Sequence, residues 1–299
     1  MDTKIDSIIE SIKVACIKIS EKVSNNNPQD MSGIIGSNNS DDEVKKLDIL
    51  SNEYLIEELS NNPNVKTLAS EENASLINLD NKGEYLVTFD PLDGSSNIDS
   101  NITIGTIFGI FINEDITHKK LGDSIIAAGY CLYGGSTQLI YTKNSIPSLE
   151  CYILKRDNDH TFIKINNIMM PPKGKTYSIN ECNKYKWKNN EKYVKLIDNF
   201  IDRGYTQRWV GSLVADAHRT IIKGGYFSYP IDKNNKCKLR LLYEAIPYCF
   251  IVEKAGGKCY LDDELNDWQE TYFPEDIHQK VPLILMSAEE NEIVKSFFI

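Results

Sequence analysis

Residues 85–99 read YLVTFDPLDGSSNID, and the order of these residues predicts both a strand and the turn that follows it. Its apolar first third, residues 85–89, predicts a strand that carries Asp90 to the edge of a sheet. Pro91 has no backbone N–H to donate to a neighbouring strand, so we expect the strand to end at Asp90 and the chain to turn there. Asp90 and Asp93 would then project together from one tight bend.

The residues of this bend are those that a metal ion and a phosphate group require. The carboxylates of Asp90 and Asp93 offer the hard oxygen ligands that Mg²⁺ prefers. Gly94 permits a close backbone approach, and the N–H groups of Gly94, Ser95 and Ser96 can bind a phosphate at the start of a helix. A solvated Asx turn would use the same residue types. The pattern is nevertheless typical of a metal-assisted phosphatase.

Further acidic residues lie upstream of this bend. Glu71 and Glu72 follow the apolar residues 65–69, and two adjacent carboxylates repel each other unless a cation lies between them. Asp42 and Asp48 flank residues 44–47. Without the Asp90 motif, Glu71-Glu72 would be read as a solvated helix start, and the two aspartates as ordinary surface charges. With that motif, they become candidate metal ligands or bases.

The C-terminal half supplies the opposite charge. Lys238 and Arg240 are two apart on a predicted strand, so both project from the same face, and Glu244 follows at the start of a helix. Arg208 adds a guanidinium suited to bidentate phosphate binding. Any one of these residues alone could be a surface charge. Together they predict a basic pocket for an anionic substrate.

Composition limits the class of protein. The chain has 299 residues, 41% of them hydrophobic, which suits one large or two medium globular domains. The net charge of −10 argues against a nucleic-acid partner. There is no apolar run of membrane-spanning length and no targeting segment, so we expect a cytoplasmic protein without a membrane partner. Seven cysteines without a CxxC pair predict reduced thiols rather than disulfides or a zinc site.

Periodicity predicts alternating helices and strands, and therefore a layered α/β (α+β) architecture. Two prolines and a glycine in residues 166–175 predict a boundary between two halves. In the helix over residues 241–254, Pro247 must lie in the first turns or kink the helix. The expected elements are helices over residues 5–23, 44–59, 211–223 and 241–254, a mobile loop over residues 28–42, and strands over residues 102–110 and 238–242.

Several of these segments closely resemble the class I fructose-1,6-bisphosphatase family. The segments are residues 45–52, 90–99, 214–220 and 238–244, and the resemblance extends in family order from Ile9 to about Ser287. It implies a sugar-phosphatase fold with alternating helix and sheet layers and two subdomains. Residues 1–168 would form the N-terminal metal-binding subdomain, and residues 169–299 the C-terminal subdomain that binds the sugar bisphosphate.

The resemblance also implies the roles of individual residues. It implies that Arg208 contacts the distal phosphate bound in a neighbouring subunit. The protein would therefore be a homo-oligomer, either a tetramer or a dimer. The implied metal ligands are Asp42, Glu71, Asp90, Asp93, Glu244 and the backbone carbonyl of Leu92. The implied substrate contacts are Asp93, Gly94, Ser95 and Ser96 around the 1-phosphate, and Asn180, Arg208, Tyr229, Lys238 and Arg240 around the sugar and its distal phosphate.

The expected reaction is hydrolysis of the 1-phosphate of fructose 1,6-bisphosphate to fructose 6-phosphate and phosphate, a step of carbohydrate metabolism used in gluconeogenesis. Two or three Mg²⁺ ions per subunit, or Mn²⁺ in their place, would activate the attacking water. Our hypothesis is that Glu72, helped by Asp48, accepts the proton of that water, because Glu72 is the carboxylate not assigned to a metal.

Departures from the family pattern leave alternatives open. Glu84 and Ile112 stand where AMP-regulated members carry basic residues, which predicts weak or absent AMP inhibition. Trp209 replaces a usual tyrosine and Cys182 a usual glycine, so sedoheptulose 1,7-bisphosphate remains an alternative or additional substrate. An inositol-monophosphatase-like enzyme shares the Asp-Pro-Leu-Asp-Gly motif but lacks residues 238–244 as written here. A catalytically silent sugar-phosphate sensor would be free to lose the metal ligands.

Overall fold

The computed structural model describes residues 2–25, 34–37, 43–113, 116–156 and 160–299. The α-helices in this part of the chain are α1 (Asp2–Asn25), α2 (Lys46–Ser60), α3 (Leu121–Ser124), α4 (Asn190–Asp202), α5 (Leu213–Lys223), α6 (Ile246–Lys254) and α7 (Ala288–Phe298). Short 3₁₀ helices cover Ser95–Asn97, Ile116–His118, Glu181–Lys186 and Trp268–Glu270, and Leu241–Ala245 forms a π-helical turn.

The strands form two large mixed sheets and two small ones. They are β1 (Ile34–Ser37), β2 (Glu43–Lys45), β3 (Val65–Ser70), β4 (Ile77–Asn78), β5 (Tyr85–Asp93), β6 (Ile104–Ile112), β7 (Ile125–Tyr133), β8 (Thr137–Lys143), β9 (Leu149–Lys155), β10 (Thr161–Ile168), β11 (Thr176–Ser178), β12 (Thr206–Gln207), β13 (Tyr226–Tyr229), β14 (Leu239–Arg240), β15 (Lys258–Tyr260), β16 (Lys280–Val281) and β17 (Leu283–Met286). The first large sheet has eight strands in the order β10-β9-β8-β7-β6-β5-β3-β4, and the second has five in the order β12-β11-β13-β17-β15.

Three apolar cores separate these sheets and helices into alternating layers. In the first core, α1 and α2 pack on one face of the eight-stranded sheet, where Ile8 and Leu55 meet Val87. In the second, α5 and α6 fill the space between the two large sheets. In the third, α4 and α7 cover the outer face of the five-stranded sheet. This sequence of helix, sheet, helix, sheet and helix confirms the predicted layered α/β architecture.

The N-terminal elements follow the sequence pattern with two differences. Helix α1 buries the three-and-four spaced isoleucines that predicted it. The segment expected to be a loop contains β1, which pairs with β2, and this pairing makes α2 begin at Lys46 rather than at residue 44. No described helix combines the length and the apolar character that crossing a bilayer would require.

Strand β5 extends further than predicted, because a bulge accommodates Pro91. Asp90 pairs with Ile107 and Asp93 with Gly105, so that two residues of β5 lie opposite one of β6. The carbonyl of Pro91 accepts a hydrogen bond from Oγ1 of Thr106 at 2.9 Å. The expectation that the strand ends at Asp90 is therefore wrong, and the turn begins at Gly94.

The start of helix α6 also differs in detail. Pro247 lies in its first turn, as predicted, where its missing N–H has no intrahelical partner to lose. The preceding residues 241–245, expected to belong to the same α-helix, form the π-helical turn instead. Because this turn begins at Leu241, the strand predicted over residues 238–242 is shortened to β14.

Cysteine pairing differs from the expectation that all thiols are reduced. Cys249 of α6 and Cys259 of β15 form a disulfide with their Cα atoms 5.1 Å apart. The chain reverses between them through Gly256 and Gly257, so that β15 packs against the helix it follows. No short spacing motif marks such a pair, because the contact depends on how the helix and the strand pack. The free cysteines of the described residues are Cys16, Cys131, Cys151, Cys182 and Cys237.

Candidate active site

Three carboxylates from two distant parts of the chain meet at the bulge of β5. Asp90, Asp93 and Glu244 each offer an oxygen atom, and these atoms lie within 4.8 Å of one another. Residues three apart on a regular strand point to opposite faces, but the extra residue of the bulge turns Asp93 back to the side of Asp90. Glu244 reaches the same point from the π-helical turn. This separation suits three ligands of one divalent cation or of two adjacent ones.

Each of the three carboxylates is held by a backbone N–H group. Asp90 accepts a hydrogen bond from the N–H of Leu92 at 2.8 Å, which closes the bulge. Glu244 accepts one from the N–H of Arg240 at 2.6 Å. Asp93 accepts one from the N–H of Val214 at 2.7 Å. The carboxylates are therefore oriented before any ligand arrives, which lowers the ordering cost of binding.

The hydroxyl of Ser212 and the start of α5 join the two halves of the site. Oγ of Ser212 donates to Asp93 at 3.0 Å. Gly94, with φ of 79°, lies against the same serine: a Cβ at this position would come within 2.7 Å of its side chain. Only glycine combines this left-handed backbone with so close an approach. The predicted phosphate loop therefore abuts an element from the C-terminal half of the chain.

Arg240 forms an ion pair with Glu71. The Nη1 atom of Arg240 and Oε1 of Glu71 are 2.5 Å apart, and both side chains are largely buried. Glu71 directly follows β3, and its N–H donates to the carbonyl of Phe89 on β5. The guanidinium thus neutralises one carboxylate at the edge of the cluster, in addition to any contact with a substrate.

Asp48 also lines the cavity, from the first turn of α2. Its Oδ2 atom accepts a hydrogen bond from the N–H of Lys45 at 2.7 Å. Burial raises the pKa of Asp48 to about 7. The hydrogen bond from Lys45 opposes this increase, and the negative charge of Glu71 adds to it. Glu72 lines the same cavity, so both predicted bases face it.

Burial and mutual repulsion raise the pKa of every carboxyl group in the cluster. Burial raises the pKa of Asp93 to about 6, against hydrogen bonds from Val214 and Ser212. It raises the pKa values of Asp90 and Glu244 well above their usual range, with further contributions from neighbouring carboxylates. Without added positive charge, the fully ionised form of the cluster is therefore disfavoured. Hard oxygen donors in this state fit a divalent cation.

The far wall of the cavity carries a lysine and two aromatic rings. Burial alone would lower the pKa of Lys238. Electrostatic interactions with Tyr229, Glu244 and Asp93 outweigh this effect and raise the pKa, so the ammonium group stays charged. The ring centroids of Trp209 and Tyr229 are 5.6 Å apart. The Nζ atom of Lys238 lies 5.8 Å from the centroid of the Tyr229 ring.

The cavity itself has a volume of about 400 Å³. The predicted site residues that line it are Asp48, Glu71, Glu72, Asp90, Leu92, Asp93, Gly94, Ser95, Ser96, Tyr229, Lys238, Arg240 and Glu244. Asn180 lines a smaller neighbouring cavity. The side chain of Arg208 is exposed and does not line either cavity. Asp42 lies outside the described residues.

Among the charged and hydroxyl-bearing residues that line this cavity, sequence reasoning missed three. Lys45 is buried in its wall, although lysines of a KK pair at the start of a helix are usually solvated. Asp216 accepts hydrogen bonds from the N–H groups of Val210 and Gly211 and so shapes the loop before α5. The third is Ser212. The motif VGSLVAD contained the signal for the last two, since a serine before a helix and an aspartate in its first turn are capping residues.

Known proteins share this arrangement over nearly the whole chain. Residues 2–166 match the family described as fructose-1-6-bisphosphatase, N-terminal domain, and residues 170–298 match the corresponding C-terminal domain. A class 1 fructose-1,6-bisphosphatase of Persephonella marina is 42% identical over 278 residues, which cover 86% of this chain and 80% of the relative.

The chain belongs to the fructose-1,6-bisphosphatase family. This confirms the resemblance inferred from the motifs. Among its other relatives, the cytosolic fructose-1,6-bisphosphatase of Solanum tuberosum is 37% identical over 311 residues, covering 97% of this chain and 88% of the relative. The crystal structure of Leishmania major fructose-1,6-bisphosphatase in holo form superimposes with a TM-score of 0.90 at 33% identity, covering 98% of this chain and 94% of that one.

Proposed function

We propose that this protein hydrolyses the 1-phosphate of fructose 1,6-bisphosphate to give fructose 6-phosphate and inorganic phosphate. The observation that carries the proposal is the convergence of Asp90, Asp93 and Glu244 beside the loop that begins at Gly94, within one cavity that also contains Lys238. A cation site, a phosphate loop and a distal ammonium are the three parts that such a substrate requires. The family relatives named above carry this activity in their names.

The metal ligands in this proposal are Asp90, Asp93, Glu244 and Glu71, together with Asp42 and the carbonyl of Leu92. The oxygen donors of this set, and the raised pKa values of Asp90, Asp93 and Glu244, fit two or three Mg²⁺ ions, with Mn²⁺ as a substitute. When bound, the metal supplies positive charge to the phosphate oxygens and makes water more acidic.

The chain's own residues hold the phosphate and move the proton. The N–H groups of Gly94, Ser95 and Ser96 bind the non-bridging oxygens of the 1-phosphate, and the first residue of this loop, Gly94, lies against Ser212. Glu72 accepts the proton of the attacking water, and Asp48, whose pKa of about 7 allows it to take up a proton near neutral pH, assists.

The sugar and its distal phosphate lie toward the far wall in this proposal. Lys238 and Arg240 supply positive charge there, while Tyr229 and Asn180 supply polar contacts. Arg208 is exposed and does not line the cavity of its own chain, which supports a contact with the distal phosphate of a neighbouring subunit in a homo-oligomer, either a tetramer or a dimer. By analogy with the cytosolic plant relatives, we also propose a cytoplasmic location.

A second candidate substrate is sedoheptulose 1,7-bisphosphate. The observation in its favour is a neighbouring cavity of about 220 Å³ that shares Trp209 and Tyr229 with the active-site cavity. A substrate that is longer by one hydroxymethylene group could extend its distal phosphate into that space. Discrimination between two such substrates rests on a few contacts at this end of the site.

Phosphate release from the purified protein tests the proposal. We expect hydrolysis of fructose 1,6-bisphosphate with Mg²⁺ and none after chelation, with a much lower rate on inositol monophosphate. Parallel kinetics on sedoheptulose 1,7-bisphosphate measure the preference between the two ketoses. A protein that binds sugar bisphosphates but releases no phosphate with Mg²⁺ or Mn²⁺ would be a sensor rather than an enzyme.

The same preparation tests regulation by AMP. The carboxylate of Glu84 forms an ion pair with Lys4 of α1 at 2.8 Å, so an anion and its partner occupy the region where AMP-regulated relatives place a cation. Ile112 packs against the apolar core on the same strand pair. We therefore propose weak or absent inhibition by AMP, and inhibition at micromolar AMP would contradict it.

A further inference from the structure

The two carboxylates assigned to proton transfer lie on different elements of the fold. Asp48 belongs to the first turn of α2, whereas Glu72 lies in the turn that follows β3. Both side chains line the active-site cavity. Proton transfer depends on where the accepting carboxylate is held, so the contacts that join these two elements bear directly on the reaction.

The side-chain amide of Asn52 joins the two elements. Asn52 lies four residues after Asp48 in α2, on the same face of the helix and one turn further along. Its Oδ1 atom accepts a hydrogen bond from Oγ of Ser70, the last residue of β3, at 2.6 Å. Its Nδ2 atom donates to Oδ1 of Asn73 at 2.9 Å. Residues 71 and 72 lie between these two partners, so one amide holds the turn at both ends.

Ser70 connects this amide to the backbone of Glu72. The hydroxyl of Ser70 accepts the N–H of Glu72 at 3.2 Å while it donates to Asn52. Because Ser70 is buried, loss of either partner would leave its hydroxyl without an equivalent contact. The N–H of Asn73 donates to the carbonyl of Ser70 at 3.3 Å, and Nε2 of His278 donates to the carbonyl of Asn73 at 3.0 Å. The turn is thus held by a continuous network that begins at Asn52.

Glu71, the other carboxylate of this turn, has contacts of its own. Its N–H donates to the carbonyl of Phe89 at 3.1 Å, and its side chain forms the ion pair with Arg240. Loss of the Asn52 amide should therefore leave this proposed metal ligand in place, whereas Glu72 would lose the network that fixes its backbone.

We propose that Asn52 is a positioning residue for the hydrolytic step: its amide fixes Glu72 relative to Asp48, so that both carboxylates face the same water molecule. This inference rests on the proposed function and deepens it. The side chain of Asn52 does not line the active-site cavity, so it acts through the turn that it holds rather than by contact with the substrate.

The test is Asn52→Ala, which removes both hydrogen bonds of a half-buried side chain. With fructose 1,6-bisphosphate and Mg²⁺ we expect kcat to fall about tenfold, because a misplaced base accepts the proton less effectively, while KM changes less than about twofold. Saturating Mg²⁺ should raise the melting temperatures of the variant and of the unaltered protein by the same amount, since the metal ligands stay in place.

A double-mutant cycle with Glu72→Gln shows whether Asn52 acts through Glu72. The base is already lost in Glu72→Gln, so adding Asn52→Ala should lower kcat further by less than about twofold. A residue that only stabilised the fold would lower kcat by the same factor in both backgrounds. Asn61→Ala is the matched control, since it removes an exposed asparagine at the C-terminal end of the same helix and should leave kcat and KM unchanged.

The outcomes separate this inference from the proposed function. An unchanged kcat in Asn52→Ala, or an equal fall in the Glu72→Gln background, overturns the inference and leaves the proposed function intact. A higher KM together with a smaller stabilisation by Mg²⁺ also overturns it, since Asn52 would then support the metal site rather than the base. No phosphate release by the unaltered protein refutes the proposed function, and this inference with it.

Discussion

The two ends of the active-site cleft solve opposite electrostatic problems. At the inner end, Asp90, Asp93 and Glu244 crowd negative charge into a buried space and hold it with backbone N–H groups. At the outer end, Lys238, Lys186 and Lys236 line open cavities. This fold therefore buries and fixes the side chains where a metal and a reacting phosphate would bind, and leaves them exposed to solvent where a charge only needs to be recognised.

The largest effect is expected from one inner carboxylate. Asp90→Asn should lower kcat about 10³-fold, because it removes a charged ligand from the cluster. The amide oxygen can still accept the hydrogen bond from Leu92, so the bulge should persist. The same substitution should raise the melting temperature of the metal-free protein, since it relieves repulsion among buried carboxylates.

Steady-state kinetics with Mg²⁺ and thermal unfolding with chelator measure the two effects. Asp99→Asn is the matched control, because Asp99 is an exposed carboxylate in the same loop and should affect neither quantity. If Asp90→Asn keeps full turnover, the inner end is not a metal site, and the contrast between the two ends loses its chemical meaning.

A smaller effect is expected from the inferred base. Glu72→Gln should lower kcat about 10²-fold and leave KM nearly unchanged, since the side chain acts on the attacking water rather than on substrate binding. Glu53→Gln, on the exposed face of α2, should behave like the unaltered protein. Unchanged turnover in Glu72→Gln would falsify the role of this residue as the base and would shift attention to Asp48.

The smallest effect concerns the pH dependence of stability without metal. The pKa values of Asp48 and Asp93 are raised to about 7 and about 6, above the value of about 3.9 expected in the unfolded chain. The folded state therefore binds more protons than the unfolded state between pH of about 4 and 7, and stability falls as pH rises through that range. Burial lowers the pKa of His218 to about 4. Below a pH of about 6.5, this group therefore makes stability rise as pH rises, which opposes the effect of the two aspartates.

The clearest interval is therefore from pH 6.5 to 8, where His218 is neutral in the folded state and loses only about half a proton in the unfolded state, so that it opposes only part of the effect. We expect the melting temperature of the metal-free protein to fall by about 2–4 °C across this interval, and by less with saturating Mg²⁺, which favours the ionised carboxylates. Thermal unfolding at the two pH values with chelator or Mg²⁺ measures this. An equal fall with and without metal would show that the inner carboxylates are not its cause.

The local pattern of the sequence was a good guide to the elements and to most of the residues that line the cavity. The isoleucine spacing predicted α1, and the glycines after residue 223 predicted the end of α5. The motif around Asp90 pointed to adjacent cation and phosphate sites, and its two aspartates do meet Glu244. These predictions succeeded because periodicity, capping and turn residues act over a few positions along the chain.

Other features depend on contacts between segments that are far apart in sequence. The bulge at Pro91 exists because β6 pairs with β5 on both sides of it. The disulfide forms because β15 packs against α6. Glu71 forms its ion pair because Arg240 of β14 lies beside the end of β3. Lys45 is a site residue because the wall of the cavity closes over it. No short-range pattern contains such information.

By itself, the sequence determined which residue types are available and which local elements present them. Carboxylates, a glycine and hydroxyl groups lie in one loop, and lysines and an arginine lie in the other half of the chain. Only the tertiary structure decided which of them meet. It turned Asp93 to the side of Asp90, brought Glu244 and Ser212 to both, and joined Asn52 to the turn that carries Glu72. The physical reason is that charge and hydrogen-bonding capacity belong to single residues, whereas distance, burial and hence pKa belong to the packed chain.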